Sequence, residues 1–351
     1  MFGYRRHHRR TLAYGMFQPE DHGLAAKNAR VLERIYHKGQ RLAWDGKEVL
    51  DALIAEHGPP TMPEETKQAL GRVFAIIMWG ELAAWRISAE LADEIEPLEP
   101  KMAATSQAHD EARHFYVMHD YLEALGALPD GIDPGARRVL EGVMNADSLA
   151  KKLLGMQLMV EPLALTLFHV VKRLDLEPVL THLLPYYERD EARHVALGVQ
   201  YLPALLEGGG LLASLDILQY QFQLITWQLW SSYGVARDVA TLGLDPRELV
   251  RVGKGKQLAA LRQVFHDSPV PVSFPESIFN RYVESVVELT LPDPTGARSL
   301  TTRIRRAIQA AVSPIELQEV DVDPGIRDDQ VPLIRGLGAD DDPREPAMEA
   351  V

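Results

Sequence analysis

Apolar residues recur at three- and four-residue intervals along most of the chain, which is the pattern of helices that bury one face. Alternating apolar and polar runs, which are typical of strands, are missing from the sequence. Segments rich in Pro, Gly and Asp separate the periodic stretches. The pattern predicts an all-α protein with helices at roughly 25–56, 66–95, 101–126, 135–173, 176–206, 211–241, 246–265, 276–290 and 300–312.

The same pattern divides the chain into three parts. We expect an N-terminal arm at residues 1–20, a single all-α domain at 21–312, and a tail at 313–351. The tail is acidic, contains Pro and Gly and lacks periodicity, so we expect it to be extended or disordered. The basic run at residues 5–10 is either a solvated terminus or an arm that contacts a partner.

Two apolar stretches, residues 153–171 and 211–230, approach the length of a membrane span. Both contain polar side chains, among them Gln157, Glu161 and Asp216, which are costly inside a bilayer. We therefore predict that both are helices buried in a soluble bundle and that the chain has no membrane span.

A charged pentapeptide, Asp-Glu-Ala-Arg-His, occurs twice within the apolar helical pattern, at residues 110–114 and 190–194. The Glu and His of each copy are three residues apart and so project from the same face of a helix. Thirty residues before each of these Glu residues, another Glu lies in the middle of a very apolar predicted helix. The set thus repeats at an offset of 80 residues: Glu81, Glu111 and His114, then Glu161, Glu191 and His194.

The 30-residue spacing is that of a helical hairpin. At about 1.5 Å per residue, roughly 13–14 residues up one helix, a short loop and the same length down the next return the chain to the same height. Each hairpin would then bring its two Glu residues and its His together.

Four carboxylates that converge in one core repel each other and lose hydration, unless cations hold them ionised. Two divalent ions would satisfy four carboxylates and two imidazoles, and this ligand set suits Fe or Mn better than Zn or Ca. Taken singly, each part has an ordinary explanation. A lone Glu-x-x-His often lies on a solvated face, and a lone Glu in an apolar helix often pairs with Arg or Lys. The duplication and the equal spacing favour a dinuclear metal site.

Composition excludes several classes of function. The net charge of −13 disfavours non-specific binding of nucleic acid. The chain contains no Cys, which excludes disulfides, thiolate metal sites and Cys nucleophiles, and fits a cytoplasmic location. No nucleotide-binding, flavin or Fe–S motif is visible, since residues 252–256 (VGKGK) lack the context of a phosphate loop.

At these residues the chain resembles the ferritin-like di-iron carboxylate proteins, in which two helices each supply a Glu or Asp and two others each supply Glu-x-x-His. The resemblance implies a ferritin-like four-helix bundle at about 66–206, with additional N- and C-terminal helices. It also implies metal-ligand and catalytic roles for the six repeated residues. Glu81, Glu161, His114 and His194 would be terminal ligands, and Glu111 and Glu191 would bridge two ions.

The full pattern Asp-Glu-x-Arg-His is similar to that of the oxygenase branch of this family, notably the hydroxylases of bacterial multicomponent monooxygenases. The resemblance implies that Asp110 bonds the ring of His194 and that Asp190 bonds the ring of His114. Arg113 and Arg193 would support these carboxylates. The alternative for the two Arg residues is an ordinary surface salt bridge.

Three positions depart from patterns known in the family. Met118 stands where the small subunit of ribonucleotide reductase has a radical-storing Tyr, and Tyr187 stands where arylamine N-oxygenases have a third His. Leu165 replaces the active-site Thr of the monooxygenases, with Thr166 one position away. These departures disfavour radical storage and cast doubt on proton delivery by a hydroxyl.

Pro162 directly follows Glu161 and removes a backbone donor within a predicted helix. We predict a kink or a π-bulge at this ligand, since such irregularities gather at functional sites. The alternative is a helix that ends there and starts again.

The resemblance implies a di-iron oxygenase or oxidase that uses O2 to oxidise a small or carrier-bound organic substrate in an adjoining apolar cavity. Two Fe ions would be the cofactor, with Mn or a Mn/Fe pair as possible replacements. A separate reductase would supply electrons, the protein would be cytoplasmic, and at the level of the family we expect a homodimer. The aromatic residues of 211–312 would line the substrate cavity or serve packing alone. Two alternatives stay open: a ferritin-like ferroxidase that handles iron, and a dimanganese catalase-type or heterometal protein.

Overall fold

The structure, a computed structural model, describes residues 30–206, 210–264, 273–293, 296 and 298–312. Throughout this part of the chain the regular secondary structure is helical, and no strand occurs in it. The prediction of an all-α protein is therefore confirmed. The predicted arm at 1–20 and the predicted tail at 313–351 lie outside the described residues.

The helices follow one another in the order of the chain. They are α1 Arg30–Arg41, α2 Gly46–His57, α3 Glu64–Glu94, α4 Leu98–Leu125, α5 Pro134–Met144, α6 Leu149–Leu153, a π-helical segment Leu154–Val160, α7 Glu161–Leu174, α8 Pro178–Leu206, α9 Gly210–Gly234, α10 Ala236–Thr241, α11 Pro246–Val264, α12 Ser273–Thr290 and α13 Leu300–Val312.

Polar side chains define where several helices begin. Asp45 accepts a hydrogen bond from Glu48 N before α2, and Ser148 accepts one from Lys151 N before α6. Each of these acceptors satisfies a backbone donor that the first turn of a helix leaves free. The prediction of unbroken helices at 25–56 and 135–173 was wrong, because capping residues start new helices within both stretches. The prediction of one helix at 211–241 was also wrong, because α9 ends at Gly234 and α10 begins at Ala236.

Two antiparallel hairpins form the centre of the fold. The first consists of α3 and α4, and the second consists of the π-helical segment with α7 and then α8. Each hairpin turns over three residues, 95–97 in the first and 175–177 in the second. In both, the upstream Glu lies 13 residues before the helix ends (94 − 81 and 174 − 161), and the downstream Glu lies 13 after the next begins (111 − 98 and 191 − 178). The predicted hairpin spacing is confirmed in both halves.

The apolar interior forms two clusters of side chains that lie along these helices. Along α3, the buried apolar residues between 69 and 78 belong to one cluster and those between 83 and 91 to the other. The helices α4 and α8 pass between the same two clusters, and so does the chain from the π-helical segment into α7. Each of the four repeated Glu residues lies where its helix passes from one cluster to the other. The fold thus places a polar layer between two apolar cores.

One described stretch, Leu149–Leu174, has the length and composition of a membrane-spanning helix. Because 78% of its most apolar window is buried inside the protein, these properties are also those of a core helix. Its burial agrees with the prediction for residues 153–171. The prediction that residues 211–230 form a buried helix was wrong for one side of α9. Large apolar side chains such as Leu212, Leu215 and Trp230 are exposed there.

Candidate metal centre

The structure brings the six repeated residues together in the polar layer between the two cores. Each Glu comes from a different helix, and each His lies one turn after a Glu on α4 or α8. All six side chains are buried, and Glu111, His114 and Glu191 are completely so. None of these six side chains faces solvent.

The distances between the six side chains are those of direct contact. His194 Nδ1 lies 2.9 Å from Glu111 Oε1 and 2.9 Å from Glu191 Oε2. His114 Nδ1 lies 2.9 Å from Glu191 Oε1, 3.4 Å from Glu81 Oε2 and 3.5 Å from Glu111 Oε2. Both imidazoles therefore turn the Nδ1 atom towards the carboxylates of both hairpins.

These atoms form two overlapping groups that could each hold a metal ion. The first is Glu81, Glu111, His114 and Glu191, and the second is Glu111, Glu161, Glu191 and His194. Within each group the candidate ligand atoms lie within 4.8 Å of one another. Glu111 and Glu191 belong to both groups, which is the position of carboxylates that bridge two ions.

Three buried atoms at the centre, Glu111 Oε2, His114 Nδ1 and Glu191 Oε1, make no well-aligned hydrogen bond in the described part of the structure, although His114 Nδ1 lies 2.9 Å from Glu191 Oε1. Buried polar atoms are normally hydrogen-bonded, and a metal ion would provide these three atoms with a partner. Carboxylate oxygens and imidazole nitrogens are ligands for Fe or Mn. The residues therefore fit a pair of divalent transition ions.

The other ring nitrogen of each His faces an Asp from the opposite hairpin. His114 Nε2 lies 3.2 Å from Asp190 Oδ2, and His194 Nε2 lies 3.4 Å from Asp110 Oδ2. A proton on Nε2 that bonds the carboxylate leaves the lone pair of Nδ1 free for a metal ion. The structure therefore shows the crossed pairs that the resemblance implied.

Arg113 and Arg193 bind both of these carboxylates. The Nη2 atom of Arg113 lies 2.5 Å from Asp110 Oδ1 and 2.9 Å from Asp190 Oδ2. Arg193 Nη2 lies 2.9 Å from Asp110 Oδ2 and 2.8 Å from Asp190 Oδ1. Because all four groups are buried, the alternative of surface salt bridges is wrong. The two cations offset the two anions and hold them in place.

Two aromatic residues that the sequence did not single out as part of the site support His114. Trp44, in the break between α1 and α2, donates from Nε1 to Asp190 Oδ2 at 2.7 Å, and its ring lies against the Arg113 guanidinium. The Tyr187 ring centroid lies 4.5 Å from that of His114, and its hydroxyl donates to the His114 carbonyl at 2.7 Å. Tyr187 therefore packs against a candidate ligand instead of replacing one.

A second set of side chains missed by the sequence analysis is a chain of buried amides. Gln107 donates from Nε2 to Glu111 at 3.0 Å and to Glu161 at 3.1 Å. Gln157, in the π-helical segment, donates to the side-chain oxygen of Gln107 at 3.1 Å. Gln107 lies one helical turn before Glu111 on the same helix. This spacing is the sequence signal that could have identified Gln107 as part of the site.

The backbone before Glu161 is π-helical from Leu154 to Val160, and Glu161 N donates to Met156 O, five residues back. The prediction of a π-type irregularity at this ligand is confirmed, and the alternative of an interrupted helix is wrong. Pro162 is the second residue of α7, so its missing donor coincides with the change from π-helical to α-helical hydrogen bonding. Gln228 and Gln257 both donate to the Met159 carbonyl, at 3.2 and 2.7 Å, and so stabilise the irregular segment from outside.

The pKa values at the centre separate into two groups. Burial and the charge of Glu191 raise the pKa values of Glu81 and Glu161 well above the usual range. Burial also opposes ionisation of Glu111, but the adjacent His194 lowers its pKa to about 2. Burial would lower the pKa values of His114 and His194, but the surrounding carboxylates raise both well above the usual range. Without metal, protons therefore neutralise part of the cluster.

A cavity of about 150 Å³ reaches the centre on the side of Glu81 and Glu161. Its wall is mostly apolar and comes from α3, α5, α7, α9 and α11, with Val160, Val235 and Val239 beside them. The exposed Trp230 and Tyr233 do not contribute to this wall, whereas Gln228 and Ser231 from the same helix do. Helices outside the two hairpins thus form much of the wall beside the cluster.

The other positions singled out by the sequence have structural explanations. Met118 is fully buried in one apolar core. The Thr166 hydroxyl reaches the cavity wall but donates to the Pro162 carbonyl at 2.7 Å. Its hydrogen bond closes the turn that follows the π-helical segment.

No family model matches this chain, and no curated protein shows significant sequence similarity to it.

Proposed function

We propose that this protein is a ferritin-like di-iron oxygenase or oxidase that uses O2 to oxidise a small or carrier-bound organic substrate. The observation that carries the proposal is the pair of overlapping Glu and His groups that share Glu111 and Glu191. The crossed Asp–His pairs and the apolar cavity beside Glu81 and Glu161 support it further.

Each part of the site has a role in this proposal. One ion would be held by Glu81 and His114, the other by Glu161 and His194, and both by Glu111 and Glu191. When bound, the iron pair supplies reductive activation of O2, with electrons from a separate reductase. Asp110 and Asp190 hold the two imidazoles in the tautomer that presents Nδ1. The apolar wall excludes water and places the substrate next to the centre.

The cavity favours this function over the two alternatives. Storage of iron or dismutation of peroxide requires no organic substrate, whereas a cavity of about 150 Å³ has room for one. Glu81 and Glu161 line the cavity, and each belongs to only one of the two candidate metal groups. Their side chains are the ones that could move to make room for a substrate.

Metal analysis tests the ligand assignment. We expect the metal-free protein to bind two Fe²⁺ ions per chain under anaerobic conditions, and Glu111→Ala to abolish binding of the pair. Glu99→Ala removes a buried Glu from the same helix but outside the cluster, and should still bind two. Glu111→Gln, which keeps the shape of the side chain, serves if Glu111→Ala does not fold. Two ions per chain in both Glu111 variants would contradict the assignment.

Rapid mixing of the Fe²⁺-loaded protein with O2 separates the functions. A transient visible absorption at two iron ions per chain supports the proposal. Uptake of many iron atoms per chain would instead identify an iron-handling protein, and rapid peroxide dismutation by the Mn-loaded form would identify a catalase-type protein.

A further inference from the structure

The two halves of the duplicated set differ in the side chain that lies one turn before the shared Glu. Counted at the offset of 80 residues, Gln107 before Glu111 corresponds to Tyr187 before Glu191. The amide of Gln107 bonds carboxylates of the cluster, whereas the hydroxyl of Tyr187 donates to the backbone carbonyl of His114 at 2.7 Å. One half therefore provides a hydrogen-bond donor to candidate ligands at a position where the other half does not.

Gln107 joins two candidate ligands that come from different hairpins. Its Nε2 atom donates to Glu111 Oε1 at 3.0 Å and to Glu161 Oε1 at 3.1 Å, which uses both of its N–H groups. Glu111 Oε1 is the oxygen that also lies 2.9 Å from His194 Nδ1. The amide therefore holds two of the three carboxylates in the candidate group of Glu111, Glu161, Glu191 and His194.

A second amide fixes the orientation of the first. Gln157 donates from Nε2 to Gln107 Oε1 at 3.1 Å, and both side chains are at most 1% exposed. Because this donor occupies its oxygen, Gln107 presents its NH2 group to the carboxylates. The residue that corresponds to Gln157 in the first half is Ile77, which has no polar side-chain atom. Among the described residues, the amide pair thus supports one candidate metal group and has no counterpart at the other.

Glu81 lacks this support. Its side chain lies 3.4 Å from His114 Nδ1, and no amide in the described part of the chain donates a hydrogen bond to it. Trp44 supports this group only at one remove, because it bonds Asp190 and not a candidate ligand. A carboxylate that is already held in place loses less freedom when an ion binds, and loss of such a hydrogen-bond partner usually lowers metal affinity. The group that contains Gln107's two acceptors is therefore the better prepared of the two.

We propose that Gln107 makes the two metal positions unequal. The position of Glu161 and His194 binds the first ion, and the position of Glu81 and His114 binds the second ion more weakly. Gln107 is a positioning residue, because it acts on the ions through the carboxylates that it bonds. The inference rests on the metal pair of the proposed function and specifies the order in which that pair forms.

Stepwise binding of Mn²⁺ to the full chain, followed by electron paramagnetic resonance of the free ion, tests the proposal. Repulsion between two ions weakens the second step even at equal positions, so each position is also measured alone. Glu81→Ala leaves the position of Glu161 and His194, and Glu161→Ala leaves that of Glu81 and His114. We expect Glu81→Ala to keep the tighter step and Glu161→Ala to keep the weaker one, with a ratio of about 10 to 100 between their affinities.

Gln107→Leu removes the donor and keeps a side chain of similar size. Combined with Glu81→Ala, it should weaken binding of the remaining ion about 10- to 100-fold, the usual effect of losing a hydrogen-bond partner of a ligand. Combined with Glu161→Ala, it should change the affinity less than about threefold, because one of its two acceptors is already absent and the other, Glu111 Oε1, faces His194.

Two further variants complete the design. Gln221→Leu is the matched control and should change neither affinity, since Gln221 is a buried Gln on α9 with no hydrogen bond to the cluster among the described residues. Gln157→Leu serves if Gln107→Leu does not fold. It removes the donor that orients Gln107, so its effect should fall on the same position and be smaller.

The outcomes separate this inference from the proposed function. An equal loss of affinity at both positions in Gln107→Leu would mean that the amide only stabilises the fold, and would overturn the inference. Equal affinities of Glu81→Ala and Glu161→Ala would overturn it as well. In both cases two ions still bind to the unchanged chain, so the proposed function stands. A chain that binds no Mn²⁺ also overturns the inference, while its Fe²⁺ content decides the proposed function.

Discussion

Asp190 is the most heavily used carboxylate around the candidate centre. It contacts Trp44, Arg113, His114 and Arg193 and is completely buried. Burial alone would raise the pKa of this carboxyl group, but Arg193 and His114 lower it below the usual range. Asp190 therefore stays ionised and fixes the orientation of the imidazole that it bonds.

Asp190→Asn should lower the affinity of one of the two ions about 10- to 100-fold, the usual effect of losing the partner of a ligand His. Trp44→Phe removes only one donor to the same carboxylate and should have a smaller effect. Titration of both variants with Mn²⁺, followed by electron paramagnetic resonance, measures the two affinities. Equal affinities in Asp190→Asn and the unchanged protein would show that the imidazole needs no such support.

The sequence was sufficient to predict residues that repeat, but not those that occur once. The duplicated pentapeptide and its upstream Glu residues identified the six central side chains and the four residues behind them. Trp44 lies 146 positions before Asp190 and has no counterpart in the second half, so no spacing connects the two. Gln257 lies on a helix outside the hairpins and reaches the Met159 carbonyl through tertiary packing. Such contacts follow from the fold and not from a local pattern.

The π-helical segment is the element that distinguishes the two hairpins. It packs against α8 where Gly198 leaves no room for a side chain, since a Cβ atom there would lie 2.6 Å from Gln157 Cβ. Gly80 is also inside a helix and close to a candidate ligand, but nothing lies within 4 Å of the place where its Cβ would be. The two positions therefore form a natural pair for comparison.

Gly198→Ala should destabilise the protein by about 1–3 kcal/mol, because the added methyl overpacks the contact with the π-helical segment. Gly80→Ala should stabilise it by about 0.5–1 kcal/mol, since Ala is preferred over Gly inside a helix and fills open space. Denaturant unfolding of the metal-free protein gives both free energies. A stabilising Gly198→Ala would mean that the segment can move away from α8 without cost.

At the level of elements, the sequence predicted the helices but not all of their ends. Pro162 correctly indicated an irregular backbone at Glu161, because a missing donor is a local property. The pattern of apolar residues continued through the capping residues Asp45 and Ser148 and through Val235, so three breaks were missed. Periodicity indicates which face of a helix is buried, whereas capping residues indicate where a helix begins.

For the molecule as a whole, metal binding is coupled to protons. The pKa values of His114, His194, Glu81 and Glu161 are all raised in the metal-free protein. A group with a raised pKa keeps its proton at higher pH, and this proton must leave when a metal ion binds. Affinity for metal therefore falls as the pH is lowered.

We expect at least two protons, those of the imidazoles, to be released when two divalent ions bind near pH 7. Calorimetric titration in buffers with different ionisation enthalpies counts these protons directly. In Glu81→Gln the number of protons released should be no higher than in the unchanged protein, since the Gln side chain has no ionisable proton. Affinity that is constant between pH 6 and 8 would show that the cluster is already deprotonated without metal.

The crossed bonds between the hairpins also constrain how such a molecule could have originated. Each imidazole depends on an aspartate from the other half, and each ion would take carboxylates from both halves. A single hairpin contains all the kinds of side chain that are needed, but it cannot form the Asp–His contacts, which join the two hairpins. An ancestor with one hairpin would have had to associate with a second copy of itself, and a later gene fusion would have made that association permanent.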